Sequence, residues 1–452
     1  MQPVVKLPEA LLRSLEGVTG YNEHDFVQAH TLVDAPVSIR LNSFKPAPIS
    51  FPEDGNVPWC SNGRYLSSRP SFITDPLWHA GAYYVQEASS MFLEQVLTQC
   101  ADVTKDLRVL DLCAAPGGKS TLVQNLITPG SLLVCNEVIK QRLSILEENI
   151  TRWGAVNVVV TGSAPADFAR LEHFFDVMIT DVPCSGSGLF RKDPAAVEEW
   201  SPEQVKHCSL RQQQILQEAL PALKPGGLLI YATCSYSAEE NEQVLDVLVK
   251  AGYTSLKVNT SDSWNIVETK ADSGATGYRF YPDRVRGEGF FIAAFRKPEE
   301  GPTHSYTPEK IPKVAADVIR QMQAYVSVQS LDIVKFKDAY LGFHAGLAGY
   351  LPWLQKHLYI RKAGVCLGMP SRTDWIPDHE LACSKLISPS VPAINLQQED
   401  ALQYLRGQSV HVETDLRGWV LACYQSLPMG WMKVLSNRMN NYYPRHWRII
   451  NK

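Results

Sequence analysis

The sequence of 452 residues lacks the marks of several classes of protein. It has no apolar run of about 18 residues, the length that a membrane-spanning helix needs. Residues 1–10 contain neither the basic nor the apolar part of a secretion signal. It also has no internal repeat and no low-complexity tract. We therefore expect a soluble cytoplasmic protein, a monomer without a membrane partner.

Paired cysteine spacing is lacking as well. The chain has ten cysteines, but none form a C-x-x-C pair, and their spacing matches neither a zinc site nor a disulfide framework. We therefore predict reduced thiols and no metal site, and each cysteine has to be interpreted by itself.

The chain has no large excess of positive or of negative charge. The 43 Lys and Arg residues stand against 47 Asp and Glu residues, which gives a net charge of −4. Binding to nucleic acid needs positive charge at the surface. A nucleic-acid partner would therefore require a basic face that is local.

The chain divides into several units, because its length predicts about three domains. Two proline-rich stretches, 45–75 and 296–313, interrupt the pattern of regular elements. Between them, short apolar runs alternate with helical segments, which predicts an α/β fold with a parallel sheet. The predicted units are an N-terminal segment 1–75, a catalytic domain 76–298, a linker 299–313, an intermediate region 314–390 and a C-terminal domain 391–452.

A glycine-containing loop follows the first apolar strand of the catalytic domain. The segment 113–119 reads C-A-A-P-G-G-K and leads into a helical segment. Glycine lets a ligand approach the backbone, and the free N–H groups of the following helix face that ligand. A phosphate-binding P-loop would require glycine at position 113, which is Cys113, and the dinucleotide pattern G-x-G-x-x-G is absent. The loop therefore favours a nucleoside cofactor without a phosphate chain.

The next predicted strand ends in an acidic residue. Glu137 lies about 20 residues beyond the glycines, where a carboxylate can accept hydrogen bonds from both ribose hydroxyls. Together with the loop, this position indicates S-adenosylmethionine. The alternative is a glycine turn that serves only helix–sheet packing, with Glu137 as a solvated strand end.

Two cysteines follow the fourth and the fifth predicted strands of the catalytic domain. Asp181-Val-Pro-Cys184 ends one strand, and Cys234 in T-C-S ends the other. The carboxyl ends of strands form the ligand crevice of an open α/β sheet, so both thiols are expected beside the glycine loop. A single cysteine at such a place is usually a small buried apolar residue. Two of them, one after Asp-x-Pro, indicate covalent attack by a thiolate instead.

That attack suits methylation at carbon 5 of a pyrimidine. Carbon 5 is a poor nucleophile until a thiolate adds to carbon 6 while an acidic group contacts N3. Removal of the carbon 5 proton then permits elimination of the thiol. Cys184, Cys234 and Asp181 supply the groups required, and Lys119 or a helix N-terminus could activate a thiol. The residues alone leave open which cysteine attacks.

Three segments closely resemble the NOL1/NOP2/Sun family of RNA 5-methylcytosine methyltransferases. Within this family they resemble the F type of bacterial ribosomal RNA methyltransferase. They are C-A-A-P-G-G-K, D-V-P-C-S-G-S-G-L-F-R-K-D-P and Y-A-T-C-S-Y-S-A-E-E-N-E, at 113–119, 181–194 and 231–242. The resemblance implies a Rossmann-like seven-strand sheet with an N-terminal RNA-contacting segment and a C-terminal PUA-like α+β region. It also implies S-adenosylmethionine as cofactor and ribosomal RNA, 16S in particular, or the small ribosomal subunit as partner.

The resemblance assigns roles to individual residues. Cys234 is implied to be the nucleophile and Cys184 to assist release, while Asp181 is implied to contact cytosine N3 and the methionine end of the cofactor. Glu137 is implied to hold the ribose. The residues implied to wrap the cofactor are Cys113, Ala114, Ala115, Pro116, Gly117, Gly118 and Lys119, of which Lys119 is also a catalytic candidate.

Two positions near the expected adenosine pocket remain open. Arg142 could support Glu137 or the cofactor carboxylate, or it could be a solvated helix residue. Family members usually place an aspartate after the third strand to contact the adenine, and here that position is Ala164. We therefore expect this contact from backbone or from Ser163, with Asp167 as a weaker candidate.

The expected RNA contacts lie on both flanks of the catalytic domain. Arg40 and Asn42 resemble the RNA-contacting region of the family. Arg191 and Lys192 follow the turn 181–188 that carries Cys184, here named the catalytic turn, where a phosphate backbone could pass. Residues 401–452 carry seven Lys and Arg against two Asp and Glu. Aromatic residues among them predict an RNA-binding surface, unless they form the core of a small barrel; they are Trp431, Tyr442, Tyr443 and Trp447.

The sequence leaves two alternatives to a ribosomal RNA enzyme. One is a transfer RNA methyltransferase with the same chemistry. The other is a ribosome assembly or RNA-binding factor without catalysis, since the aspartate expected at 164 is missing.

Overall fold

The structure is a computed structural model that describes residues 6–31, 34–300, 306–372 and 374–450. Its N-terminal unit is an antiparallel sheet of order β2-β3-β1-β4 with three short helices. Its elements are α1 Glu9–Ser14, α2 Glu23–Thr31, β1 Val37–Leu41, β2 Glu53–Asn56, β3 Gly63–Leu66, α3 Pro76–Ala80 and β4 Tyr83–Val85. The proline-rich stretch 45–75 thus contains two strands, because its prolines lie outside them, and the sheet continues past residue 75.

The middle of the chain builds most of the central sheet. Its strands are β5 Arg108–Asp111, β6 Leu132–Asn136, β7 Val158–Thr161, β8 Phe175–Asp181, β9 Leu223–Thr233, β10 Thr254–Leu256, β11 Val267–Lys270, β12 Thr276–Phe280 and β13 Phe290–Arg296. Its helices are α4 Leu93–Cys100, α5 Gly118–Leu126, α6 Lys140–Trp153, α7 Pro165–Phe168, α8 Pro194–Glu199, α9 Pro202–Ala219 and α10 Glu242–Lys250.

The order of these strands places the site. It runs β11-β12-β13-β9-β8-β5-β6-β7, with β10 paired to β13, and strands β5 to β9 are parallel. Strand order reverses between β5 and its neighbours β6 and β8, which is where open α/β sheets bind ligands. The α/β prediction is confirmed, and the seven strands from β12 to β7 along this order form the expected core.

Both faces of the sheet are covered by apolar packing. Adjacent residues of one strand, such as Val109 and Leu110, belong to different hydrophobic clusters. Alternate side chains of a strand point to opposite faces, and strands buried on both faces are apolar throughout. The polar groups at the carboxyl ends of these strands therefore stand out as candidates for function.

The C-terminal part forms two further sheets, of order β14-β15-β17-β18 and β19-β20-β21-β22. Strand β16 instead pairs with β7 and becomes the tenth strand of the central sheet. The elements are α11 Ala316–Met322, β14 Leu331–Phe336, β15 Ala339–His344, α12 Leu351–His357, β16 Ile360–Ala363, β17 Val365–Pro370, β18 Trp375–Pro377, α13 His379–Cys383, β19 Ala393–Asn395, α14 Gln398–Leu405, β20 Gly418–Tyr424, β21 Leu427–Val434 and β22 Met439–Asn441.

Among the residues that the structure describes, no helix combines the length and apolar character needed to cross a membrane. The same residues contain no group of three or more His, Cys, Asp or Glu side chains placed to bind a metal ion.

Candidate active site

A cavity of about 350 Å³ lies at the carboxyl edge of β5, β8 and β9. Most of the predicted site residues line it, which brings together segments far apart in the chain. Those residues are Cys113, Ala114, Ala115, Pro116, Gly118, Lys119, Arg142, Asp181 and Cys234. The remaining three, Gly117, Glu137 and Cys184, adjoin lining residues.

The glycine loop turns sharply from β5 into α5. Gly117 caps α5 with a φ of +112°, in the left-handed region that favours glycine. Arg142 donates from Nη2 to the carbonyl oxygen of Ala115 at 2.7 Å. The loop is thus held by α6, and the N-terminus of α5 faces the cavity.

Glu137 follows β6 and is almost completely buried. Its Oε1 accepts a hydrogen bond from the backbone N–H of Ile139 at 2.9 Å, and its Oε2 lies 3.4 Å from Arg142 Nη1. Arg142 therefore supports Glu137, one of the roles considered for it, and it also contacts the glycine loop.

Charged groups meet at the floor of the cavity. Lys119 Nζ donates to Asp181 Oδ2 at 2.7 Å. Burial lowers the pKa of Lys119, but the ion pair and hydrogen bond with Asp181, together with the interactions with Asp111 and Cys234, outweigh burial and leave that pKa above its usual value. Asp111 accepts from Ser120 Oγ at 2.6 Å through Oδ2, and its buried Oδ1 has no hydrogen-bond partner among the residues that the structure describes. Burial raises the pKa of Asp111 to about 7.

The two predicted catalytic thiols face each other. Cys184 Sγ and Cys234 Sγ are 2.9 Å apart, and both residues are half-buried. The hydrogen bond between them, together with burial, raises the pKa of the Cys184 thiol well above its usual value. One site can therefore present both thiols to one substrate atom.

A buried carboxylate that the sequence analysis missed ties the two thiol loops together. Glu240 is fully buried and accepts hydrogen bonds from Ser185 N and Oγ at 2.8 and 2.5 Å, from Ser235 Oγ at 2.6 Å and from Gln212 Nε2 at 3.0 Å. Ser185 and Ser235 each follow one of the two cysteines. The sequence could have pointed to Glu240, because this residue lies in the A-E-E run of the third motif, at 231–242.

The cavity also has walls that motif reasoning did not find. They come from β4 and the turn after it, and from the start of β13. The residues concerned are Tyr84, Val85, Gln86, Glu87, Ser90, Glu288, Gly289 and Phe290, with Asp111 and Leu189 beside them. The N-terminal sheet therefore forms part of the cavity wall. No local sequence pattern predicts this contribution.

The candidates for the adenine contact do not line the cavity. Asp167 accepts from Ala164 N at 3.1 Å and so caps α7. Ser163 is buried, and its Oγ accepts from Tyr359 N at 2.8 Å. Both side chains are thus engaged in structural contacts.

Comparison with known proteins agrees with this geometry. A family model described as 16S rRNA methyltransferase RsmB/F matches residues 99–296, one described as the N-terminal domain of 16S rRNA methyltransferase RsmF matches 7–88, and one described as methyltransferase RsmF PUA domain matches 391–449. The ribosomal RNA small subunit methyltransferase F of Aeromonas salmonicida is 30% identical over an alignment of 436 positions that covers 90% of each chain. The chain belongs to this methyltransferase family.

Other similarities extend over the same regions. The methyltransferase F of Vibrio parahaemolyticus is 30% identical over an alignment of 484 positions, gaps included, that covers 98% of each chain. A crystal structure of a methyltransferase homologue from Pyrococcus horikoshii is 28% identical with a TM-score of 0.52, covering 64% of this chain and all of its own. NSun6 from the same organism, solved with SFG, has a TM-score of 0.54 at 18% identity, covering 65% and 99% of the two chains; this likeness shows the fold alone. The expected methyltransferase fold and PUA-like region are confirmed.

The methyltransferase does not present its predicted N-terminal RNA contacts. Arg40 is 1% exposed and donates to Gln86 Oε1 at 2.8 Å and to Thr121 Oγ1 at 2.6 Å. Asn42, equally buried, donates to the carbonyl oxygens of Gly81 and Trp153. The expectation that these two residues reach RNA is wrong, because both side chains point inward at the end of β1, where Arg40 supports α5 beneath the glycine loop.

The two cations after the catalytic turn, Arg191 and Lys192, differ in exposure. Arg191 is buried and donates to the carbonyl oxygens of Asp34 at 2.8 Å and Gly287 at 3.3 Å, so it cannot meet a phosphate as predicted. Lys192 is exposed.

The C-terminal aromatic residues are mostly core. Trp431 and Tyr443 are buried in two different hydrophobic clusters, and Trp447 packs against one of them. Only Tyr442, with 45% of its surface exposed, projects outward. The prediction of an aromatic RNA-binding face over 401–452 is therefore wrong for Trp431 and Tyr443, whose rings stabilise the small domain instead.

Proposed function

We propose that this enzyme transfers a methyl group from S-adenosylmethionine to carbon 5 of a cytosine in 16S ribosomal RNA of the small subunit. The observation that supports this most is the pair of thiols 2.9 Å apart, with Cys234 lining the cavity formed by the glycine loop. Methylation of an exocyclic amine or an oxygen needs no thiol, whereas methylation of carbon 5 needs a nucleophile at carbon 6.

The residues present suit this cofactor. The cavity is bounded by small loop residues and by the carboxyl groups of Asp111 and Asp181, which favour a cationic ligand with an amino group. Glu137 would hold the ribose, and residues 113–119 would surround the methionine part. When bound, the cofactor supplies an electrophilic methyl group.

We assign the attack to Cys234. Its thiolate forms a bond to carbon 6, and carbon 5 thereby becomes nucleophilic and accepts the methyl group. Lys119 lies close enough for its charge to interact with Cys234, and a nearby cation favours a thiolate. Asp181 contacts N3 and donates a proton there, because negative charge develops on N3 during the addition.

Release requires the reverse bond change. A base removes the proton at carbon 5, the electron pair restores the ring double bond, and the bond between carbon 6 and Cys234 Sγ breaks. Cys184 is the neighbour of that sulfur, and its raised pKa keeps its own thiol protonated at neutral pH, so it can donate a proton to the sulfur of Cys234 as the bond breaks. We therefore assign assistance in release to Cys184.

The covalent step is tested with RNA that contains 5-fluorocytosine. Fluorine at carbon 5 cannot leave as a proton, so the adduct persists after methyl transfer. Mass spectrometry of the digested complex should find the RNA on the peptide of Cys234. An adduct on Cys184 would reverse the two roles, and no adduct would refute covalent catalysis.

The RNA substrate is tested separately. Bisulfite mapping of a strain without the gene should show one 5-methylcytosine lost from 16S ribosomal RNA. Loss from a transfer RNA would instead identify the alternative substrate.

A further inference from the structure

A second and larger concave surface adjoins the reaction cavity. It has a volume of about 1150 Å³, and we refer to it as the RNA cleft. Its walls come from three places: residues 34–37 and 66–69 of the N-terminal unit, residues 191–192 after the catalytic turn, and residues 282–287 before β13.

The RNA cleft opens directly beside the cavity. Leu189 lines the cavity, and its carbonyl oxygen accepts a hydrogen bond at 2.8 Å from the backbone N–H of Lys192, which lines the cleft. On the other side, Gly287 lines the cleft and the next residue, Glu288, lines the cavity. A chain of nucleotides could therefore occupy the cleft while one base enters the cavity.

The exposed charge of the cleft is mainly positive. Its exposed cations are Arg69, Lys192, Arg284 and Arg286, and among the lining residues Asp34 is the exposed acid. Asp283 also lines the cleft, but its side chain is only 7% exposed. This balance suits a polyanion.

Two of these cations have no ion-pair partner among the described residues. Arg284 and Arg286 already contact Asp283 and Asp54, respectively. Arg69 and Lys192 form no ion pair in the part of the chain that the structure describes, and the guanidinium group of Arg69 lies 5.9 Å from the centre of the Phe72 ring. Arg69 follows β3 and Lys192 follows the catalytic turn, so the two cations without an ion pair belong to different units that face one cleft.

The chemistry of the cavity requires such a surface. A thiolate reaches carbon 6 only if the base leaves its stack, and the cavity must hold that base together with the cofactor. The adjacent phosphates then remain outside, where Lys and Arg side chains fix the register of the strand. We infer that Arg69 and Lys192 bind phosphates of the RNA strand that flanks the target cytosine; this inference rests on the proposed function.

The test uses the full enzyme and a short fluorescein-labelled single-stranded RNA with one cytosine. Affinity is measured by anisotropy between about 50 and about 200 mM salt for wild type and for the Arg69→Ala/Lys192→Ala variant. Each lost phosphate contact reduces the slope of log affinity against log salt by about 0.7 for single strands, so we expect a loss of about 1.4. The KM for RNA should rise while kcat stays unchanged.

Lys250→Ala is the matched control. Lys250 is exposed and ends α10, which runs away from the carboxyl edge of β9 toward the opposite edge of the sheet. Its loss should leave the slope unchanged. Calorimetry with S-adenosylmethionine should give wild-type affinity for every variant, and both single variants are measured so that a folding defect in one does not mask the other.

The outcomes separate this inference from the proposed function. If wild type methylates the RNA but the double variant keeps the salt slope of Lys250→Ala, the cleft does not bind phosphates. If the double variant shows the expected change in salt slope but wild type transfers no methyl group to the RNA, the cleft binds phosphates and the proposed function is wrong.

Discussion

Two regions of the molecule bring a thiol beside ionisable groups, and they differ in what surrounds them. In the reaction cavity, Cys234 is half-buried and has Cys184 as its neighbour. In the second region, which we name the seam, α3 and α6 meet the C-terminal domain. There Cys383 Sγ lies 3.5 Å from His379 Nε2, and His79 Nδ1 lies 3.0 Å from the hydroxyl of Tyr443.

The seam has the residue types of a cysteine–histidine catalytic pair without the room for a substrate. Cys383 is fully buried, and a Cβ atom on Gly154 would lie 2.2 Å from its carbonyl oxygen. Burial raises the pKa of Cys383 and lowers that of His379 to about 3, so both groups stay neutral. Neutral groups in a filled space stabilise packing, whereas a thiol that borders a cavity can react.

The largest expected effect is the loss of the cavity nucleophile. Cys234→Ala should lower methyl transfer by more than about 10⁴-fold, because a nucleophile has no substitute in a covalent mechanism. Transfer of a labelled methyl group to RNA measures this effect, and cofactor affinity should be unchanged.

Cys383→Ala is the matched control from the seam. It should leave methyl transfer unchanged and lower the free energy of unfolding by about 1 kcal/mol, as for a typical core truncation. Urea denaturation measures that loss. If this variant were inactive although folded, the distinction between the two regions would be wrong.

The second prediction concerns release. Cys184→Ala should still form the bond to carbon 6 but should leave the enzyme attached to RNA, because the assisting thiol is gone. Electrophoresis under denaturing conditions should show a protein–RNA band that wild type lacks. Normal release of RNA by this variant would remove the role assigned to Cys184.

The third prediction concerns the carboxylate that aligns the two thiol loops. Glu240→Gln places an amide where four hydrogen bonds converge on carboxylate oxygens, which leaves donors unpaired. We expect kcat to fall by about 100-fold, the effect of a misplacement of about 1 Å, with little change in the KM for RNA. A merely structural carboxylate would lower stability but not kcat of the folded fraction.

Sequence motifs predicted the parts of the site that are local in the chain. The loop 113–119 and the ends of β8 and β9 lie where the strand pattern put them, because short motifs fix a strand-to-helix turn. The burial of Arg40 was not predictable in this way. Its partners Gln86 and Thr121 are 46 and 81 residues away, and a charged residue in a short strand is usually exposed.

The cavity walls supplied by β4 and by residues before β13 were also not predictable from the sequence, because they too depend on residues that are far apart in the chain. They result from docking of the N-terminal sheet on the catalytic domain, as in the bond from Ser89 Oγ to the carbonyl oxygen of Glu288 at 2.9 Å. Such contacts depend on tertiary packing and leave no periodic signal.

The smallest expected effect returns to the seam and is a dependence of stability on pH. His79 is 2% exposed, and its Nε2 lies 2.9 Å from the carbonyl oxygen of Ile73. The neutral ring therefore donates there and accepts from Tyr443 through Nδ1. Burial lowers its pKa to about 4, below the usual 6.5. The unfolded chain thus binds the proton more readily, so the stability that His79 contributes is complete above pH 6.5 and is lost as pH falls toward 4.

Between pH 7 and pH 5.5 this loss amounts to about 1.2 kcal/mol. His79→Gln keeps a donor and an acceptor but cannot titrate, so its deficit in stability relative to wild type should shrink by that amount over the same interval. Urea denaturation at the two pH values measures the difference. A constant deficit of His79→Gln would mean that the seam admits a charged ring, and its contrast with the reaction cavity would then rest on space alone.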